Sequence, residues 1–184
     1  MITSPKTPTR ILVGGNTSIP GWTTINADPS THPDIVSDIQ TLDGIPPKSI
    51  FVLYASHVFE HIELRHAIGT LTRIGEVMRP GGTVFLSVPD LSELLQLLQD
   101  PRLDVSQKLH VARMIYGGQT TQFDYHYFGY TFEILSALLA STGFVNVRKV
   151  ERFGIHNDTS NFSPYFHRNI SLNVVCHRRE HDTR

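Results

Sequence analysis

The sequence predicts an α/β fold: a Rossmann-like open sheet, mostly parallel, with an antiparallel C-terminal edge strand and helices on both faces. Three observations carry this reading. SIFVLYAS (49–56) is continuously apolar and rich in β-branched and aromatic residues, as a central strand covered on both sides requires. A helical repeat follows it, and then a second apolar run, TVFLSVP; strand, helix and strand in that order make a parallel βαβ unit. Near the C-terminus, VNVRKV and ISLNVVC flank a long polar loop (153–169) and read as a hairpin-like pair closing the sheet.

The elements follow in order. Residues 1–9 are polar and proline-punctuated and are expected to form a mobile lead-in. ILV is a short buried strand that runs into Gly14 and Gly15. TTIN is a second strand and DIVSDI a weaker third. In the helix after the central strand, Leu64, Ile68, Leu71, Ile74 and Met78 recur at helical spacing, and Arg79, Pro80, Gly81 and Gly82 stop it. Residues 91–130 read as an insertion that covers substrate or forms an interface. It holds an amphipathic helix (LSELLQLLQD), a second helical stretch (QKLHVARMIYGG) and the irregular aromatic segment QTTQFDYHYFGY. Thr131 is the expected N-cap of another helix, with Phe132, Leu135 and Leu139 on one face and Gly143 as the stop. In ISLNVVC, apolar Ile170, Leu172, Val174 and Cys176 alternate with Ser171, Asn173 and Val175, and 177–184 reads as a tail.

Length and composition narrow the function. The 184 residues suit a single domain, 1–184, with 40% hydrophobic and 18% charged residues. A net charge of −1 provides no basic field for a nucleic-acid backbone. No apolar run approaches membrane-spanning length, and MITSPKTPTR lacks the apolar stretch of a signal peptide. Cys176 is the only cysteine, in keeping with a reducing compartment. A cytoplasmic protein acting without nucleic acid or membrane is the expectation.

LYASHVFEHI, a helix, and then VMRPGGTVFLSVPD resemble the second half of the class I S-adenosylmethionine-dependent methyltransferases, within them the small "methyltransferase type 11" group. The resemblance runs from about Ile11 to Cys176, and RPGG is its most specific part. It implies a seven-stranded sheet that binds S-adenosylmethionine at the carboxyl ends of its first strands. Gly14 and Gly15 match the cofactor loop, and Val13 stands where the family has its first glycine. Asn26 holds the place of the ribose-binding carboxylate, with Asp28 two residues on. Asp38 matches the acid beside the adenine, Ile39 the apolar wall, and Ser56 completes the implied cofactor set. Asp38 has a second reading as a turn cap. The stretch from Gly15 to Thr23 is too short for a crossover helix, so the N-terminal half is a pared-down version of the fold.

Methyl transfer needs positioning and in some cases a base. His57, His126 and Asp90 are the candidates for proton handling, with Asp124 orienting His126. Asp90 also reads as an N-cap, and this is the stronger of its two readings. Tyr116, Tyr125 and Tyr127 line a pocket, or else form a satellite core or a homodimer contact. HVFEH (57–61) matches the H-x-x-E-H zinc-hydrolase signature, in which His57 and His61 share a metal and Glu60 activates water. That motif needs a helix across all five residues, and the expectation here is no metal. The resulting reading is a methyltransferase acting on an oxygen or nitrogen of a small molecule or glycan. The alternative is a non-catalytic binding or assembly protein of the same fold, favoured by Val13 and Asn26.

Overall fold

The computed structural model describes residues 9–15 and 19–180. Residues 1–8 of the expected lead-in (1–9), residues 16–18 of the glycine loop and the end of the tail (181–184) lie outside them. Seven strands form one sheet: β1 (Arg10–Val13), β2 (Thr23–Asn26), β3 (Ile35–Val36), β4 (Ile50–Ser56), β5 (Met78–Pro89), β6 (Phe144–Val150) and β7 (Ser171–Arg178). Their spatial order is β3-β2-β1-β4-β5-β7-β6. β3, β2, β1, β4 and β5 are parallel, and β7 is antiparallel to both of its neighbours. The predicted antiparallel strand is therefore one place in from the edge, and β6 ends the sheet. Ser171 and Asn173 of β7 are buried. The Ser87 hydroxyl donates to Asn173 Oδ1 at 2.7 Å, and Asn173 Nδ2 donates to the Glu151 and Ser160 carbonyls at 2.9 Å each. Polar residues that satisfy one another behave as core, so the alternation in ISLNVVC does not mark a solvent face. His177 and Arg178, read as tail, belong to β7.

The helices are α1 (Leu64–Val77), α2 (Leu91–Gln99), α3 (Val105–Tyr116) and α4 (Phe132–Ser141). α1 buries Ala67, Thr70, Leu71, Ile74 and Val77 against the sheet. Leu64 and Ile68, expected in that stripe, are exposed. The helix phase follows its small residues, which let it sit close to the strands. The main core unites this face of α1 with Leu135 and Leu139 of α4 and with Ile11, Leu53, Leu86, Leu172 and Val174 of the strands. On the opposite face, Tyr54 and Phe85 are covered by Phe153, and Tyr54 also by Trp22 and His156. Here aromatics from the β1–β2 connection and from the loop after β6 do the covering, because residues 14–22 are too few to form a crossover helix. A satellite core joins α2 and α3 through Leu94, Leu97, Leu103, Val111 and Ile170.

Helix starts follow capping chemistry. Thr131 Oγ1 accepts the Ile134 amide, and Asp104 and Gln107 form a reciprocal capping box at α3. RPGG does more than stop α1. Met78 already pairs with Ile50, and Thr83 pairs with Val52, so residues 79–82 are extruded opposite Phe51 alone. Gly81 takes φ 74°, and a Cβ on Gly82 would stand 3.1 Å from the Phe51 carbonyl oxygen. Among the described residues no helix is long and apolar enough to cross a membrane.

Cys176 is buried in β7, and burial pushes its thiol up to about 12. It is expected to resist a thiol-specific reagent at mildly alkaline pH in the native protein and to react fully in guanidinium. Absorbance of the released chromophore reads both states; rapid native labelling would contradict the burial.

Candidate functional site

The strand order reverses direction at the junction of β1 and β4, the place where open α/β sheets bind ligands beyond the carboxyl ends of their strands. A cleft of about 320 Å³ lies there, within the range of small-molecule sites. Val13 and Gly14 at the end of β1 form its floor, with Asn26 and Asp28 after β2 and Asp38 and Ile39 after β3 on one side. His57, Val58 and His61, after β4, face them. Gln122, Phe123, Tyr125 and Tyr127 close the far end.

Each predicted cofactor residue has a definite place. Gly14 has φ 77° and donates its amide to the Ile25 carbonyl at 2.8 Å. A Cβ on it would run into Val58 Cγ2. Asn26 Oδ1 accepts the Asp28 amide at 3.0 Å, which fixes the orientation of the side-chain amide and leaves Nδ2 as its donor toward the cleft. The Asp28 carboxylate accepts the Ser30 amide at 2.9 Å as the cap of a short turn. Hydrogen bonds from Ser30, first its side chain and then its backbone, hold the Asp28 carboxyl below its usual value. Asp38 lines the cleft and also caps its own turn, taking the Gln40 amide at 2.7 Å on Oδ1. The turn cap is therefore seen directly, and it leaves Asp38 at the cleft. Gly15 and Ser56 are not among the lining residues; a Cβ on Gly15 would press on Leu12, and Ser56 follows Tyr54 on the opposite face of the sheet.

The predicted proton handlers fall differently. His57 lines the cleft, but both its nitrogens face the protein: Nε2 lies 2.9 Å from Ser171 Oγ and Nδ1 3.2 Å from Glu60 Oε1. His126 lies behind the cleft wall, its ring edge-on to His61 at 4.8 Å. Its orienting partner is the Met114 carbonyl, 3.1 Å from Nδ1, and not Asp124. Asp124 instead secures its own loop, accepting Gly118 and Thr120 amides and the Thr120 hydroxyl. Asp90 is outside the cleft. Its Oδ1 caps α2 through the Ser92 and Glu93 amides, and its Oδ2 accepts Lys149 Nζ at 2.7 Å.

The zinc-hydrolase geometry is absent from HVFEH. Phe59–His61 is a single 3₁₀ turn, His57 precedes it at φ 54°, and His57 and His61 point to different partners. Two residues gain importance instead. His61 lines the cleft and donates Nδ1–H to the Tyr125 carbonyl at 2.9 Å, which leaves Nε2 as a lone pair. Glu60 is 1% exposed. Burial raises its carboxyl, but the His57 hydrogen bond and charge, followed by the charges of His61 and His126, outweigh that and hold it below its usual value. Burial keeps His126 low, with His61 and His57 adding to the effect and Glu60 opposing it.

No family model and no curated protein matches the chain. Solved structures do, at low identity. A Haloferax volcanii methyltransferase in complex with its Trm112 activator superposes with TM-score 0.62 and 12% identity over 99% of this chain and 86% of that one. An S-adenosylmethionine-dependent methyltransferase from Listeria monocytogenes gives 0.55 and 15% over 96% and 93%. Human N-acetylserotonin methyltransferase, in complex with S-adenosylmethionine, gives 0.53 and 14% over 93% and 48%. The chain spans 47–62% of the length of several of the structures it matches. The fold is that of the class I methyltransferases.

Proposed function

We propose that the cleft binds S-adenosylmethionine and that the protein transfers its methyl group to an oxygen or nitrogen of a small molecule or glycan. The observation that carries this reading is the placement of Gly14, Asn26 and Asp38 around one cleft at the strand-order reversal. The cradle fits the group: Gly14, at φ 77°, turns the backbone out of β1 along the cleft, and its missing Cβ lets Val58 of the cleft lining pack directly against it. Asn26 would hold the ribose through Nδ2, Asp38 would take an amine or hydroxyl on its second oxygen, and Ile39 would back the adenine. Bound there, the cofactor supplies an electrophilic methyl carbon. The chain supplies positioning. Tyr125, Tyr127 and Phe123 form the wall on the side away from Asp38, where an acceptor's rings or sugar face can stack. His61 borders this wall and carries its Nε2 on the side away from the Tyr125 carbonyl.

Calorimetric titration tests the reading. S-adenosylmethionine and S-adenosylhomocysteine are expected to bind in the micromolar range, about −8 kcal/mol. Asn26→Asp is expected to tighten both about tenfold, because a carboxylate accepts ribose hydroxyls more strongly than an amide does. Asp keeps the acceptor used by the Asp28 amide, so the loop geometry survives the change. No heat at millimolar cofactor, in the wild type and in Asn26→Asp alike, would leave the fold as a binding module.

A further inference from the structure

Glu60, His61 and His126 converge from two segments distant in sequence. The 3₁₀ turn at 59–61 carries the first two, and the loop after α3 carries the third. That loop is fastened to the turn by its backbone: the Tyr127 amide donates to the Glu60 carbonyl at 2.9 Å, and the Tyr125 carbonyl accepts from His61. The loop is itself tightly specified, since a Cβ on Gly117 (φ 81°) would strike the Asp124 carbonyl. The three side chains each offer a ligand atom, and these atoms lie within 4.8 Å of one another.

Both imidazoles have the arrangement of metal ligands. His61 donates Nδ1–H to Tyr125 and His126 donates Nδ1–H to Met114, at 2.9 and 3.1 Å. A carbonyl on one ring nitrogen fixes the tautomer and directs the other nitrogen's lone pair outward. His126 Nε2 lies 3.9 Å from Glu60 Oε1. Glu60 is the second, independent sign. It is 1% exposed; among the described residues Oε2 has no hydrogen-bond donor, and Oε1 meets only His57 Nδ1 at 3.2 Å and His126 Nε2 at 3.9 Å. No lysine or arginine is paired with it there, and its contacts are imidazoles. A buried carboxylate with one oxygen unpaired and imidazoles around the other is well placed to take a cation.

We infer that Glu60, His61 and His126 form a binding site for a divalent first-row transition metal, zinc or a close relative, at the edge of the cleft. Two imidazoles and one carboxylate are borderline donors that suit zinc, iron or manganese and leave coordination positions open. Zinc bonded at about 2.0–2.2 Å holds tetrahedral ligands about 3.3 Å apart, so loading draws the cluster together. His61 belongs both to this cluster and to the cleft wall, so the metal borders the place assigned to the acceptor. The site differs from a zinc-hydrolase motif: Glu60 is a ligand here, and His57 is not one.

The inference does not rest on the cofactor reading, and its test omits the cofactor. Purified protein is analysed for metals by mass spectrometry, then stripped with chelator and titrated with zinc and with cobalt(II). The expected results are one equivalent of tightly bound metal per chain and a visible cobalt band from an imidazole–carboxylate site. His61→Asn and His126→Asn should each weaken binding at least tenfold and alter the band. Glu60→Gln should do the same, and if it fails to fold the two histidine variants suffice, since His61 reaches the cleft surface. No metal on purification with no cobalt band at millimolar cobalt would overturn the inference. So would unchanged affinity and spectrum in both histidine variants, because the metal would then sit on other histidines.

Discussion

Gly14→Ala is expected to cost about 2–5 kcal/mol of stability and to remove micromolar binding of S-adenosylhomocysteine. Two independent penalties add. A side chain at φ 77° pays about 1–2 kcal/mol for the left-handed conformation. The new methyl also enters the volume of Val58 Cγ2, and overpacking of this kind typically costs about 1–3 kcal/mol. The local backbone cannot easily yield, because the Gly14 amide is bonded to Ile25 in the neighbouring strand. Relief therefore comes by moving Val58, a cleft residue, into the space assigned to the cofactor. For a chain of this length the thermal midpoint should fall by about 4–20 °C. Gly21→Ala is the control. Gly21 has φ 81° but nothing within 4 Å of its Cβ position, so only the conformational penalty applies and binding is retained. Val58→Ala in the Gly14→Ala background should recover part of the stability loss, giving a double-mutant coupling that isolates the steric contribution. Normal binding by Gly14→Ala would place the ligand away from this loop.

The sequence makes the central strands and the cleft residues after β1, β2 and β3 legible because their signals are local. A continuous apolar run announces a covered strand, and a glycine next to a strand end announces a close approach. Thr131 and Gly143 mark the ends of α4 for the same reason. Other features depend on partners that leave no mark in the sequence. The carbonyls that aim His61 and His126 belong to Tyr125 and Met114, and any residue there would supply the same oxygen. Asp124, two residues from His126, looks like its natural partner, but it is engaged by Gly118 and Thr120 on its own loop. Burial of Glu60 follows only when the loop at 124–127 closes over the turn at 59–61. RPGG announces a chain break but cannot say that the same pairing resumes after four extruded residues. In α1 the hydropathy pattern places Leu71, Ile74 and Met78 correctly in the core but also puts Leu64 and Ile68 there, because they weigh more than Ala67 and Thr70. Close packing on a sheet favours the smaller side chains.

Asp90→Ala is expected to lower stability by about 2–3 kcal/mol, and Asp90→Asn by only about 1 kcal/mol, with methyl transfer preserved in both folded variants. Asp90 sits at the end of β5, where a base would be placed to meet a substrate, so the test separates two roles. Its carboxylate is 2% exposed and both oxygens are occupied, one by the first amides of α2 and the other by Lys149. Alanine removes the cap, worth about 1 kcal/mol, and the charge-assisted bond from Lys149, worth about 1.5–3 kcal/mol. Lys149 is half-exposed, so its ammonium can turn to water and is not stranded. The loss therefore stays below that of a fully buried pair. Asparagine caps a helix nearly as well as aspartate, so it forfeits only the stronger attraction for Lys149. The thermal midpoint should fall by about 4–12 °C for alanine and about 2–4 °C for asparagine. A general base would behave in the opposite manner: asparagine, which cannot take the proton, would leave a stable protein with no transfer. Loss of turnover in Asp90→Asn at an unchanged midpoint would return Asp90 to the chemistry. Graded loss of stability with turnover intact would leave it holding the start of α2 against β6.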